Sequence, residues 1–376
     1  MKIGILTLPL HTNYGGILQA YALQTVLERM GHEVKVIQKE RERLTVPIWK
    51  MPFVYPFRAV RKWTWNKEAP IFFEKIIEHE YPIITQHIQR FIDSHIHLHL
   101  VKKLDDIKEK DFDAIVVGSD QVWRPYYFKG MWETDIENAF LKFAAGWSIK
   151  RIAYAASFGT DECEYTPKEC SSVSELLKHF DGVSVREVSG VNLCRERFEA
   201  CAQHVLDPTL LLSEEDYSSL ISPKDNIQPS SPYILEYFLD PTDDKCTLVN
   251  KISNAKGLRV FKAIREEAST LEDKIKIPVE EWLDGFRQAS FVVTDSFHAC
   301  VFSIIYKKPF LVVGNAKRGM SRLTSLLDLV GLKNNLIDLC SDYRHDCSNI
   351  ITKESINLLN EKRKESIQYI ISSLSK

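Results

Sequence analysis

Short apolar segments alternate with segments of helical composition along most of the 376 residues of the chain. Each apolar segment is followed by a polar or glycine-containing turn, and then by a helical segment. Helices between consecutive strands make the strands parallel and cover both faces of the sheet. The sequence therefore predicts an α/β protein with Rossmann-like, doubly wound sheets.

A polar, proline-marked segment at 213–231 separates two groups of predicted strands. The length suffices for two domains, each with its own core. We predict an N-terminal domain over 1–212 and a C-terminal domain over 213–376, facing each other across a cleft. The last charged helix, about 353–374, is expected to pack back on the first domain. The predicted strands are KIGILTL (2–8), 34–37, 114–118, 151–157, 182–186, 204–207, 232–238, 258–264, 291–294 and 310–314.

Composition excludes some functions. A formal net charge of -2 gives no reason to expect a nucleic-acid partner. The eight cysteines show no CxxC or zinc-site spacing, which favours reduced thiols and a cytoplasmic location. The apolar stretch at the N-terminus is too short for a signal peptide, and no long apolar run predicts a membrane span.

Ligands of doubly wound sheets bind beyond the carboxyl ends of the strands. The residues predicted there are rich in acids, hydroxyls, arginine and histidine, which simple connecting loops do not need. They are 11–16, 119–121, Ser157, Arg186, Asp207 and 295–298.

Two glycine-containing turns have a structural and a functional interpretation. In NYGGILQAYALQ (13–24), the glycines make either a tight turn before a helix starting near Ile17 and ending at Met30, or a site for an anion or sugar. In GSDQVW (118–123), the turn either caps a helix or binds a sugar. In the sugar site, Trp123 would stack on the ring, and Asp120 and Gln121 would bind hydroxyls.

Two further positions leave the same choice open. Arg186, at the end of a predicted strand, either pairs with a surface carboxylate or binds a phosphate or carboxylate in the cleft. In TDSFHACVFS (294–303), Asp295 is placed like a helix cap and His298 lies in the first turn. His298 is either a core residue or a proton-transfer group, because imidazole changes charge near neutral pH.

Two other segments have a composition that allows either a functional or a structural interpretation. HIHLHL (95–100) alternates histidines as a metal site can, but alternation is more typical of a half-buried strand, and no metal site is predicted. WKMPFVYPFRAVRKWTWNK (49–67) combines aromatic and basic residues without an acid. It suits peripheral contact with a membrane surface, or else it covers the core of the first domain.

The ordered set of segments resembles the polysaccharide pyruvyl transferase family. The segments are NYGGILQAYALQ, GSDQVW, SVRE, DPTLLL, EEWLDGFRQASFVVTDSFHACVFSIIYKKPF and RLTSLL, and they reach to about residue 331. The stretch at about 40–110 matches little and is interpreted as an aromatic and basic insertion. The resemblance implies a GT-B-like fold, and transfer of pyruvate from phosphoenolpyruvate to two sugar hydroxyls as a cyclic ketal.

The resemblance also implies roles for residues. His298 is expected to be the acid/base, Asp295 to orient or assist it, and Arg186 to bind the donor. No metal and no cofactor besides the co-substrate phosphoenolpyruvate are expected. Where relatives carry an arginine two residues before the histidine, this chain has Ser296. Either Arg318, Arg322 or Lys308 supplies the missing cation, or this chain uses a different donor. The expected substrate contacts are Asn13, Tyr14, Gly15, Gly16, Gln19, Ser119, Asp120, Gln121, Trp123, Ser157, Ser296, Asn315, Arg318 and Arg322.

The expected setting is bacterial capsule, exopolysaccharide or cell-wall glycan synthesis, with a sugar or lipid-linked oligosaccharide acceptor. The protein is expected in the cytoplasm, at the inner face of the membrane if residues 49–67 make that contact. Two alternatives stay open: a GT-B glycosyltransferase that uses a nucleotide sugar, and a non-catalytic scaffold for envelope assembly.

Overall fold

A computed structural model of the chain describes residues 1–65, 70–222, 231–263, 270–315, 319–343 and 350–375. These residues form two parallel sheets, of seven and five strands, with helices on both faces. The fold is therefore α/β, with two Rossmann-like, doubly wound domains in the GT-B-like arrangement, as the sequence predicts.

The first sheet has the strand order β3-β2-β1-β4-β5-β6-β7, and the second has the order β12-β11-β10-β8-β9. The strands of the first sheet are β1 (Lys2–Leu6), β2 (Glu33–Lys39), β3 (Leu98–Val101), β4 (Ala114–Val117), β5 (Lys150–Ala156), β6 (Gly182–Val185) and β7 (Gln203–His204). The strands of the second sheet are β8 (Tyr233–Tyr237), β9 (Arg259–Lys262), β10 (Phe291–Thr294), β11 (Phe310–Val313) and β12 (Leu336–Ile337).

Helices join the strands of both sheets. In the first half of the chain they are α1 (Tyr14–Arg29), α2 (Met51–Thr64), α3 (Phe73–His95), α4 (Pro125–Trp132), α5 (Pro167–Leu177), α6 (Val188–Phe198) and α7 (Glu214–Ser218). In the second half they are α8 (Asp243–Lys256), α9 (Leu271–Lys274), α10 (Val279–Gln288), α11 (Phe297–Ile305), α12 (Ser321–Leu329) and α13 (Lys353–Ser375).

Two boundaries differ from the predicted ones at the places that matter for the site. Helix α1 begins at Tyr14, so Gly15 and Gly16 lie in its first turn rather than before it. Strand β7 ends at His204, and residues 205–207 leave the sheet. The start of α1 was predicted too late because a glycine pair is typical of a turn. The end of β7 was predicted too late because the apolar residues Val205 and Leu206 continue the strand pattern.

Each sheet has a switch point where the strand order reverses, between β1 and β4 in the first and between β8 and β10 in the second. Crevices at switch points are where open α/β sheets bind ligands. The loops after β1 and β4 carry Asn13 and Asp120, and the loop after β10 leads to His298. The topology thus brings the predicted site residues of both domains to facing crevices.

The two domains share buried apolar surface. One cluster of buried side chains includes Ile5 of the first sheet and Val292 of the second. Across the boundary the rings of Tyr14 and Trp282 stack with centroids 5.3 Å apart. This apolar interface holds the two crevices against each other.

Helix α13 contacts the first sheet. The Tyr369 hydroxyl donates a hydrogen bond of 3.0 Å to the Ala153 carbonyl, and the Ser366 hydroxyl accepts one of 3.0 Å from the Leu206 amide. Ile370 and Leu374 are buried among the apolar residues that join the domains. The end of the chain therefore lies across the first domain.

The segment expected to be an insertion contains α2, α3 and β3. Helix α2 buries none of its side chains, so it does not cover the core of the first domain. Residues 66 and 67, the end of the aromatic-basic segment, lie outside the described residues. Helix α3 runs towards the second domain, where the Ile84 carbonyl accepts a hydrogen bond of 2.9 Å from the Lys276 amide.

The alternating histidines make no metal site. Strand β3 is the edge strand of its sheet, and His99 packs its ring against Phe112. Among the residues that the structure describes, no group of three or more His, Cys, Asp or Glu side chains is placed to hold a metal ion.

None of the described helices combines the length and the apolar composition that crossing a bilayer requires.

Candidate active site

A cavity of about 80 Å³ lies between the two domains. Ligand pockets are typically about 300–1,000 Å³. The cleft is therefore nearly closed in this structure. The first domain contributes Asn13, Gly15, Asp120 and Gln121 to its wall. The second contributes Tyr237, Leu239, Trp282, Asp295, Ser296, Phe297, His298, Asn315, Gly319, Arg322 and Leu323.

His298 reaches from the second domain to the start of α1 in the first. Ser296 caps α11, its hydroxyl accepting a hydrogen bond of 3.5 Å from the Ala299 amide, and this sets His298 in the first helical turn. The imidazole lies against Gly15, where a Cβ atom would be 1.9 Å from His298 Nδ1. A glycine is thus needed at position 15, because any side chain there would prevent the imidazole from approaching the backbone of α1.

Asp207 is the carboxylate nearest the imidazole, with its Oδ2 atom 3.9 Å from His298 Nε2. It accepts hydrogen bonds from Arg186 at 2.7 Å and from the Ser119 hydroxyl at 2.9 Å, and Thr209 binds its other oxygen. Burial raises the pKa of Asp207, but Arg186, His298 and these hydrogen bonds outweigh burial and lower it to about 2. Asp207 is therefore ionised at neutral pH.

Burial lowers the pKa of His298 below its ordinary value of 6.5, although Asp207 acts in the opposite direction. Arg186 and Arg322 also lower this pKa, whereas Asp120 raises it. Among the described residues, Nε2 has no hydrogen-bond partner. The imidazole is therefore neutral at pH 7 and able to accept a proton, and Asp207 stabilises the cation that results.

Arg186 lies at the centre of three carboxylates. Its side chain is fully buried, 2.7 Å from Asp207, 3.3 Å from Asp120 and 4.0 Å from Glu187. Burial lowers the pKa of Arg186, and the carboxylates more than reverse this effect. Arg186 thus stays charged, but Asp207, Asp120 and Glu187 already neutralise it, and it does not line the cavity.

Arg322 is the described arginine that lines the cavity. Burial, and after it the charge of Arg186, lower the pKa of Arg322 to about 10. A bound anion would stabilise this charge. Of the other proposed cations, Arg318 lies outside the described residues and Lys308 does not line the cavity.

Asp295 makes its hydrogen bonds to groups other than His298, so the expectation that it orients the imidazole is corrected. Its Oδ2 atom accepts hydrogen bonds from Lys245 Nζ at 2.6 Å and from Asn315 Nδ2 at 3.2 Å. Its Oδ1 atom accepts one of 2.7 Å from the Leu239 amide. Asp295 therefore ties the loops after β8, β10 and β11 together at the cavity wall, while Ser296 caps α11 and Asp207 faces the imidazole.

Trp123 does not offer a face for a sugar, so this expectation is corrected as well. The indole is fully buried, stacks on Phe140 with centroids 4.7 Å apart, and donates a hydrogen bond of 3.2 Å to the Ala139 carbonyl. The segment after α4 covers it.

Other predicted contacts support the loops rather than line the cavity. Tyr14 donates a hydrogen bond of 3.0 Å to the Ile277 carbonyl. Gln19 Nε2 donates to Thr7 Oγ1 and to the Gly16 carbonyl. The Ser157 hydroxyl accepts a hydrogen bond of 3.1 Å from the Gly159 amide.

Asn13 and Asp120 meet at the first-domain wall. Asn13 Nδ2 donates a hydrogen bond of 3.4 Å to Asp120 Oδ2, and a Cβ atom at Gly16 would lie 3.3 Å from both groups. Asp120 has a φ of 66°, a left-handed conformation that aspartate tolerates better than most residues. Its carboxylate thereby contacts both Asn13 and Arg186.

Sequence reasoning missed Trp282, Tyr237 and Lys245, and gave Asp207 no role. Trp282 lies in the amphipathic helix α10, and the apolar pattern of this helix predicts only packing against the core. Lys245 lies in the first turn of α8, where nothing distinguishes it from a surface lysine. The sequence analysis placed Asp207 among the residues beyond the strand ends, but its contact with the imidazole forms only when the two domains pack together.

Comparison with known proteins identifies one family. The sequence profile described as polysaccharide pyruvyl transferase matches residues 13–317. No match among curated proteins was found for the chain.

Several solved structures are similar to the chain over nearly its whole length. UDP-GlcNAc 2-epimerase from Neisseria meningitidis, bound to UDP-GlcNAc, is 11% identical with a TM-score of 0.48, covering 100% of this chain and 99% of that one. The S. aureus MnaA-UDP co-structure is 12% identical with a TM-score of 0.46, covering 99% and 91%. The spinosyn rhamnosyltransferase SpnG is 11% identical with a TM-score of 0.40, covering 99% and 96%.

The contact between Gly15 and His298 can be tested by a double-mutant cycle. Gly15→Ala is expected to lower the free energy of unfolding by about 1–3 kcal/mol, because the new methyl group displaces the imidazole. In a His298→Ala background this cost should largely disappear. Urea unfolding measures both differences.

Gly130→Ala is the matched control, since a Cβ atom at Gly130, within α4, meets nothing within 4 Å. It should be neutral or stabilise by up to about 1 kcal/mol. An equal cost of Gly15→Ala with and without the imidazole would show that the ring does not lie against α1.

Proposed function

Because the chain belongs to the polysaccharide pyruvyl transferase family, with residues 13–317 matched, we propose that it transfers pyruvate from phosphoenolpyruvate to two hydroxyls of a sugar. The product is a cyclic ketal, and the other product is inorganic phosphate. The observation that carries the proposal is the neutral His298 between ionised Asp207 and the cavity, with Arg322 in the cavity wall.

The first step adds a sugar hydroxyl across the carbon–carbon double bond of phosphoenolpyruvate. The hydroxyl oxygen bonds to the carbon that carries the phosphate, and the methylene carbon gains a proton to become a methyl group. His298 accepts the hydroxyl proton and supplies the proton that the methylene takes. Asp207, 3.9 Å away, stabilises the imidazolium between these transfers.

The second step closes the ring. A neighbouring sugar hydroxyl bonds to the same carbon, the carbon–oxygen bond to phosphate breaks, and the hydroxyl proton leaves with the phosphate. No metal ion is required to balance either step. The arrangement supports this chemistry because the proton-transfer group and a cation lie on the same cavity wall.

The two arginines take different parts in the proposal. Arg322 lines the cavity and binds the phosphate or carboxylate of the donor. Arg186 is a positioning residue, because its charge is held by Asp207 and Asp120 and it fixes Asp207 beside the imidazole. This assignment moves the donor contact from Arg186 to Arg322.

The acceptor is proposed to contact the Asn13–Asp120 wall and the Asp295–Asn315 wall, which face each other across the cavity. Carboxylates and amides pair well with sugar hydroxyls. Trp282 also lines the cavity, and its Nε1 atom has no hydrogen-bond partner among the described residues.

Phosphate release tests the proposed function. With phosphoenolpyruvate and a panel of galactosides and N-acetylhexosamines, the protein should release phosphate only when an acceptor is present. The modified sugar should gain the mass of pyruvate less water, and His298→Ala should abolish both signals while folding normally. UDP release from a UDP-sugar, without any product from phosphoenolpyruvate, would contradict the proposal and favour a glycosyltransferase.

The roles of the arginines predict different kinetics. Arg322→Gln should raise the KM for phosphoenolpyruvate by roughly 10- to 150-fold, since a charged hydrogen bond contributes about 1.5–3 kcal/mol. Arg186→Gln should mainly lower kcat, because Asp207 is then no longer held beside the imidazole. Steady-state kinetics with varied donor separates the two, and the reverse pattern would return the donor contact to Arg186.

A further inference from the structure

Helix α2 carries its apolar side chains on the face that points away from the protein. Trp49 precedes the helix, and with Phe53, Phe57, Val60 and Trp63 it recurs at intervals of three or four residues, so that all five share one side. Each of these side chains is between 61% and 88% exposed. A surface helix normally shows the opposite orientation, with its apolar stripe against the core.

The other side of α2 is fixed to α3 by polar and aromatic contacts. The Arg58 guanidinium lies 2.8 Å from the Glu74 carboxylate and also donates to the Ile71 carbonyl at 3.2 Å. The ring of Tyr55 packs on Phe72 with centroids 5.0 Å apart. These contacts keep the apolar stripe outward, so its exposure is built into the structure.

The charge around the stripe has one sign. Between Arg43 and Trp65 the sequence contains no aspartate or glutamate. Lys50 and Arg61 are exposed beside the stripe, and Lys62 is partly exposed. Phe73 and Ile76 at the start of α3 add further exposed apolar surface. Aromatic anchors flanked by cations are the composition of helices that lie in a membrane interface.

We propose that α2 docks the protein on an anionic membrane surface, lying in the plane of the headgroups with Trp49, Phe53, Phe57, Val60 and Trp63 inserted. A second copy of the chain fits this surface less well, because two such helices would bring like charges together. An anionic bilayer offers both apolar depth and opposite charge.

Helix α3 connects this surface to the cleft. Arg90 lies 3.4 Å from Glu280 on α10, the helix that carries Trp282 of the cavity wall. The docking helix is therefore joined to an element of the site. If the proposed function is right, the acceptor class that suits this geometry is a lipid-linked saccharide, presented at the same surface.

Vesicle flotation tests the docking without any turnover, so its outcome is independent of the proposed function. The protein should float with vesicles of phosphatidylcholine and phosphatidylglycerol, and much less with phosphatidylcholine alone. A variant with W49S, F53S, F57S and W63S should lose binding by about 100-fold or more, because it removes most of the inserted apolar area. A variant with K50Q, R61Q and K62Q should lose about fivefold per charge on anionic vesicles only.

The matched control replaces exposed apolar residues elsewhere, with L100S, L339S and I371S. It should bind vesicles like the unchanged protein. Circular dichroism and thermal unfolding establish that all variants fold. Equal flotation of the four-residue variant and the unchanged protein would overturn the proposal. So would a concentration-dependent dimer in sedimentation velocity that the same four substitutions abolish, since the stripe would then bind a second copy.

Discussion

The approach of the His298 imidazole to Gly15 is the interaction on which the site depends. His298 belongs to the second domain and Gly15 to the first, and no side chain larger than hydrogen fits between the ring and the start of α1. The contact sets the imidazole 3.9 Å from Asp207, which the first domain supplies. Neither domain alone contains both the proton-transfer group and the carboxylate, so the pair exists only while the domains are closed.

Burial determines the charge states of the ionisable groups in the closed cleft. Arg186 and Asp207 are nearly inaccessible, and each charge is stable because the opposite charge lies 2.7 Å away. The imidazole is the exception, since burial favours its neutral form over the influence of Asp207. A neutral base beside an ionised acid is suited to taking up a proton and briefly holding it, which is what addition of a hydroxyl to an enol carbon requires.

Much of this could be predicted from local sequence, and the rest depends on contacts between distant segments. The strands were predictable because buried parallel strands are short apolar runs, and His298 and Arg186 because they follow such runs. The partner of the imidazole was not, because Asp295 is adjacent in sequence whereas Asp207 becomes adjacent only when the domains pack. Trp123 was assigned to the cleft because nothing in its own segment shows that Phe140 covers it. The start of α1 was misplaced because two glycines predict a turn, whereas one of them is needed for the approach of a ring from the other domain.

The ionisation of His298 is the most direct test of this account. An NMR titration of histidine-labelled protein, with the His298 signal assigned by its loss in His298→Ala, gives the pKa of the imidazole. It should lie below the ordinary value of 6.5, because burial disfavours the charged form. In Asp207→Asn it should fall further, because the carboxylate that favours the cation is gone. A pKa above 6.5, or one that Asp207→Asn leaves unchanged, would contradict the placement of a neutral base beside Asp207.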